Sequence, residues 1–146
     1  MNRLLRIGIA ALAVPATALV LSPASAPAQT SPQPSVVLKL GARAPLSSTG
    51  KLIKVKVNIT CNNAKPAPIH ATVSQNRGSV TAHGSGQSTA SYKCNGRTQT
   101  GVVPVTADAG SRFHTGGASA TADVTITGVD GTTTVSGHDD RNIQLT

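Results

Sequence analysis

Residues 51–61 read KLIKVKVNITC, and the nine from Ile53 to Cys61 alternate strictly. Ile53, Val55, Val57, Ile59 and Cys61 fall on one side of an extended chain, and Lys54, Lys56, Asn58 and Thr60 on the other. A repeat of two marks a β-strand with one buried face, because successive side chains point to opposite sides. The apolar face must find a second apolar layer, and the lysines must stay in water. The stretch predicts a strand whose outer face is cationic.

The same period recurs outward from it. Val36, Leu38 and Leu40 alternate with Val37 and Lys39, and Ile69, Ala71 and Val73 with His70, Thr72 and Ser74. Ser88, Ala90, Tyr92 and Cys94 form another set, as do Val103, Val105 and Ala107. Ala118, Ala120, Ala122, Val124 and Ile126 make the longest run after the first, and Ile143 and Leu145 close the chain. Turn residues separate the runs, among them Asn76-Arg77-Gly78, Asn95-Gly96, Gly116-Gly117 and Asp139-Asp140. Asp130-Gly131 predicts a two-residue hairpin turn, where glycine accepts a positive φ. No stretch of ten residues has a helical apolar period. Short strands with frequent turns predict an all-β antiparallel sandwich or barrel.

The first residues have a different character. MNRLLR is a short basic segment, residues 7–21 are apolar apart from Thr17 and Pro15, and SPASAPAQT supplies small residues. That order predicts a secretory signal peptide, with cleavage after Ala28 in Ala26-Pro27-Ala28. The rival site after Ala26 would place Pro27 just beyond the cut. No cysteine lies near either site, which excludes a lipid anchor there, and no second apolar run of membrane length follows. The expected organisation is a signal peptide over 1–28, a flexible Pro/Ser-rich lead-in over 29–35 and one domain over 36–146. The expected location is extracellular.

A domain of this size with only Tyr92 and Phe113 as aromatics must build its core from Val, Ile, Leu and Ala. Such a core is thin and gains from a staple. Two cysteines in an exported chain predict a disulfide, Cys61 to Cys94. Loop entropy over the 33-residue spacing gives roughly 3–4 kcal/mol.

The strand VKVNITC and the later SYKC resemble an immunoglobulin-type sandwich, in which a tyrosine lies two residues before the second cysteine. Tyr92 and Cys94 fit that pattern. The chain departs from it in lacking a tryptophan, in having only 32 residues between its cysteines, and in carrying at least three strand-like runs after Cys94. The expected fold is therefore an immunoglobulin-like β-sandwich without the standard pairing. Cys94 is expected on a middle strand, with the bridge buried between sheets. A closer likeness runs from Ser48 to Ile126, through VNITCNN, ATVSQNRG, YKCNGR and RFHTGGASATADVTI. These segments are similar to small secreted actinobacterial proteins with one disulfide and an immunoglobulin-like fold, a family of unknown function. The resemblance implies fold and secretion and brings no activity.

Nothing in the residues points to catalysis. Neither a G-x-S-x-G elbow nor an H-E-x-x-H pair occurs, and the five Asp are scattered. His138-Asp139-Asp140 reads as a polar turn before the last strand rather than half of a metal site. The expectation is a non-enzyme without cofactor or metal. The charge is more informative: 13 Lys and Arg stand against five Asp and Glu. Lys54, Lys56, Arg77, Lys93 and Arg97 form the candidate basic patch, which would attract a cell-wall polyanion. The competing explanation is that charged outer faces keep β-surfaces wet and unpaired. Nucleic acid is disfavoured, since no aromatic platform exists to stack bases. Two functional classes follow. One is a secreted interaction module that binds a wall polyanion or another extracellular protein. The other is a small secreted effector, an inhibitor or antimicrobial protein, for which residues 62–68 are the candidate loop.

Overall fold

The computed structural model describes residues 32–146; the expected signal peptide and the start of the lead-in lie outside the described residues. Nine strands form: β1 (Ser35–Leu40), β2 (Arg43–Ala44), β3 (Leu52–Asn62), β4 (Ala64–Lys65), β5 (His70–Arg77), β6 (Val80–Gln87), β7 (Asn95–Ala107), β8 (Gly116–Gly128) and β9 (Thr134–Leu145). They build one strongly curled sheet, a half-barrel, in the order β1-β3-β7-β6-β5-β8-β9-β2, with β4 beside β8.

The opening stretch becomes β3, the strand with the most continuous alternation. Its odd-numbered residues from Ile53 to Cys61 are at most 1% exposed, while Lys54, Lys56 and Asn58 face solvent. The predicted inner faces of β1, β5, β7, β8 and β9 supply Leu38, Leu40, Val73, Val103, Val105, Ala120, Val124, Ile126, Ile143 and Leu145 to the same core, with Ile69 from just before β5. Aliphatic side chains dominate it, so it depends on close approach rather than on large rings.

The expectation of a purely antiparallel architecture is corrected. β2 pairs parallel with β9, Arg43 against Gln144 and Ala44 against Leu145. The cause is a change of partner over three residues. Gly41 N still donates to Lys56 O on β3 at 2.8 Å, whereas Gln144 N on β9 donates to Ala42 O at 2.8 Å. The following residues touch both strands: Lys54 N donates to Pro45 O at 3.0 Å, and Leu46 N donates to Thr146 O at 2.8 Å. Residues 42–46 thus link β3 to β9.

β1 rests across β9 on the inner side. A Cβ at Gly137 would lie 3.2 Å from Val36 and 3.3 Å from Leu38, so glycine permits the approach. Further along, Leu40 N donates to Asp139 Oδ2 at 2.6 Å, and Arg141 Nη1 donates to Leu40 O at 2.7 Å. Two polar side chains of β9 therefore satisfy backbone groups that β1 would otherwise leave unpaired. This places Asp139-Asp140 inside β9 rather than in a turn.

Two further expectations are corrected. Ser88–Cys94 is not a strand, since β6 ends at Gln87 and β7 starts at Asn95. Ala90, expected inside, is exposed; Ser88 and Tyr92 are buried and bonded to the chain before β5, Ser88 N donating to Ile69 O at 2.9 Å and Ser88 Oγ accepting from Ile69 N at 3.1 Å. Nor does Asp130-Gly131 make a two-residue turn. A five-residue loop joins Gly128 to Thr134, closed by Gly128 N donating to Thr133 O at 2.7 Å. Its organiser is the Asp130 carboxylate, which accepts from Thr132 N, Thr133 N and Thr133 Oγ1.

The Cys61–Cys94 disulfide forms, with Cα atoms 4.5 Å apart. It does not lie between sheets, and Cys94 is not on a middle strand. It ties the end of β3 to the residue before its neighbour β7, where pairing shifts between Thr60↔Thr98 and Asn62↔Asn95. Gly96 and Arg97 thus stand opposite Cys61 alone, a bulge that Gly96 makes possible with its φ of 78°.

Candidate functional site

The candidate basic residues do not converge on one surface. Lys54 and Lys56 share the outer face of β3, opposite Pro104 and Val102 of β7. Lys39, which the candidate set omitted, joins them from β1, where it pairs with Asn58, the next outward residue of β3. Arg77 ends β5 at the hairpin to β6, while Lys93 and Arg97 sit beside the disulfide at the far end of β3. There Lys93 N donates to Gln99 Oε1 at 3.0 Å, and Arg97 N donates to Asn95 Oδ1 at 3.1 Å. A patch of five was legible only as five exposed cations, because their grouping depends on strand order.

Past the lysines the outer face of β1, β3 and β7 becomes a field of hydroxyls and amides. Thr60 and Thr98 hydroxyls lie 2.7 Å apart, and Thr100 Oγ1 donates to Asn58 Oδ1 at 2.8 Å. Val37 and Val102 are exposed within it, at 54% and 48%. Among the described residues the only side-chain ion pairs join His138 to Asp123 and Asp140. The three lysines therefore keep their charge uncompensated by any carboxylate of the described chain.

Two carboxylates, Asp123 and Asp140, lie on the outer face of β8 and β9. His70 on β5 pairs in register with Asp123 on β8, which in turn pairs with His138 on β9. His138 Nδ1 lies 2.5 Å from Asp123 Oδ1, and His138 Nε2 lies 3.7 Å from Asp140 Oδ1. The hydrogen bond to Asp123 and the charge of that carboxylate raise the His138 pKa above its ordinary value. Asp139 turns the other way, to Leu40, so the His138-Asp139-Asp140 triplet is divided between two faces. Among the described residues no group of three or more His, Cys, Asp and Glu is placed to hold a metal ion.

The candidate inhibitor loop is tied down along its length. Ala64 and Lys65 pair with Gly128 and Thr127 as β4, and Tyr92 Oη both accepts from Ala67 N and donates to Ala67 O. A loop that docks by adding a strand to a protease must offer free backbone groups. Here several of those groups are already bonded within the domain.

A buried amide fixes the segment just before β8. Gln75 is 4% exposed; its Oε1 accepts from His114 N at 2.8 Å, and its Nε2 donates to His114 O at 2.9 Å and Gly117 O at 3.2 Å. Beside it Phe113 is buried over Gly84, where a Cβ would lie 2.9 Å from the ring. Arg112 and His114, on either side of Phe113, are exposed. Neither was singled out with Arg77, because nothing in their spacing announces that Gln75 fixes this segment beside the hairpin. Comparison of the chain with protein-family models, with curated proteins and with solved structures finds no match.

Proposed function

We propose that the protein is a secreted, non-catalytic interaction module acting at the cell envelope or outside it, with an immunoglobulin-like arrangement of strands. On this reading β1-β3-β7-β6 and β5-β8-β9-β2 are the two facing layers of a sandwich, and the β6–β5 pairing joins them. The partner change at Gly41 supports it, since one N-terminal segment contributes first to one layer and then to the other. On this reading the segments that carry the likeness to one-disulfide secreted proteins each have a structural role. The cysteines staple β3 to β7, Gln75 fixes the segment before β8, and Phe113 fills the space above Gly84.

The binding reading is carried by one observation: Lys39, Lys54 and Lys56 share an outer face without a carboxylate partner among the described residues. Such a face attracts polyanions through diffuse charge, and its hydroxyl and amide surroundings suit a hydrated polymer. Sedimentation of the protein with purified wall material tests it. Association is expected at low salt and release by 1 M, where the Debye length falls to about 3 Å. Changing Lys54 and Lys56 together to Thr is expected to weaken association while stability stays within about ±0.5 kcal/mol. Absence of association at low salt, or binding that survives 1 M salt and ignores both lysines, would remove this reading.

A further inference from the structure

We propose that the cleft between the β5–β6 hairpin and residues 112–114 binds a small oxyanion, carboxylate or phosphate, carried on an apolar group. Gln75, Arg77, Val80, Ala82, Arg112 and His114 line this cleft of about 190 Å³. Two guanidinium groups and an imidazole border it, and no carboxylate does. Neither arginine is ion-paired among the described residues. Lys51 adds charge nearby, its Nζ donating to Ser111 O at 2.6 Å.

The walls are held before any ligand arrives. Arg77 and Val80 are the last pair of the hairpin, joined through Gly78 and Ser79 with Gly78 at a φ of 62°. On the other wall Phe113 is 1% exposed and its N donates to Gly50 O at 2.9 Å. The Gln75 amide holds both backbone groups of His114. Cationic side chains on anchored backbone suit an oxyanion, since the planar arginine fork matches two oxygens of one carboxylate or phosphate. Val80, 66% exposed, and Ala82 below it offer an apolar wall that the charge alone does not explain. The volume is below the roughly 300–1,000 Å³ of drug-sized pockets, so the group is small. This site shares no residue with the lysine face, so the two readings stand or fall separately.

Two-dimensional NMR titration of the isotope-labelled full chain tests it, with butyrate and butyl phosphate as probes at constant ionic strength. Saturable shifts are expected at Arg77, Val80, Arg112 and His114, and the tighter probe distinguishes carboxylate from phosphate. Butanol is expected to give none, and inorganic phosphate to bind more weakly than butyl phosphate. Arg77→Gln and Arg112→Gln are each expected to weaken binding about tenfold, as for loss of one charge-assisted hydrogen bond. The spectrum of each variant reports whether it is folded, and either folded variant suffices. Shifts that do not saturate or lie elsewhere would overturn the proposal. So would affinity unchanged in a folded Arg variant, or inorganic phosphate binding as tightly as its butyl ester.

Discussion

Tyr92 Oη clasps a single residue, Ala67, accepting from its N at 2.9 Å and donating to its O at 2.6 Å. The clasp joins the connection before β7 to the connection before β5, two segments without strand partners at that point. Tyr92→Phe keeps the ring in the core and leaves both Ala67 groups without this partner. A loss of about 1–3 kcal/mol is expected in chemical denaturation. Burial also raises the Tyr92 pKa above 10.0, outweighing the bond to Ala67. Its contribution is therefore full below about pH 10 and is lost as pH rises through the higher value. A variant as stable as the parent at neutral pH would show the clasp to be dispensable.

The disulfide encloses β4, β5 and β6 within its 33-residue span, so reduction frees a large part of the sheet in the unfolded chain. Replacing both cysteines by Ala is expected to cost roughly 2–5 kcal/mol. Because Cys94 is half-buried and stands before β7, reducing agent should reach it in the folded protein. Thermal melts with and without reductant check both points, and coincident curves would contradict them.

Gly86 lies where β6 meets β7, and a Cβ there would sit 1.8 Å from Pro104 O. The obstacle is backbone, which cannot swing aside as a side chain can. Gly86→Ala is expected to destabilise by about 1–3 kcal/mol or more, through separation of the two strands. Gly117→Ala, with nothing within 4 Å of the added carbon, is the control and is expected to stay within about ±0.5 kcal/mol. Equal melting temperatures for the two variants would argue against so close an approach.

The strands that sequence reasoning recovers are those whose inner face is aliphatic. β3 and β8 keep their alternation almost throughout, and β1, β5 and β7 keep enough of it. β6 was missed because its inner face is Ala82, Gly84 and Gly86, small residues required by the Phe113 ring and the Pro104 backbone. The first half of β9 resembled a turn because Gly137, Asp139 and Arg141 face inward, where they accommodate and bond β1. Ser88–Cys94 gave the opposite error. Its predicted alternation fails at Ala90, which is exposed, and only Ser88 and Tyr92 are buried, held by their bonds to the 67–69 segment. For the surface, the sequence marked Lys54, Lys56, Arg77, Lys93 and Arg97, all of them exposed. It could not say that Lys39 joins Lys54 and Lys56, or that Arg77 meets Arg112 and His114, since both groupings depend on strand order and on the Gln75 anchor.

His138 offers a test of the outer face of β8 and β9. The groups around it are Asp123 across the strand pair, Asp140 two residues on, Asp139 turned to the inner side, and His70 on the far side of Asp123. The Asp123 bond and charge dominate and raise its pKa from 6.5. A raised value in the folded state means that the pair's contribution is complete below about pH 6.5 and disappears as pH climbs through the folded value. Because both side chains are more than half exposed, solvent and salt screen the pair and the expected stability change is small. The position of the titration is the sharper observable. Following the His138 ring protons by NMR should give a midpoint above 6.5 that falls toward it in Asp123→Asn, with the fold unchanged. In 1 M salt the Coulombic part should shrink while the hydrogen bond persists, so a residual upward shift is expected. A midpoint that ignores both the substitution and the salt would mean that His138 and Asp123 do not form this pair in solution.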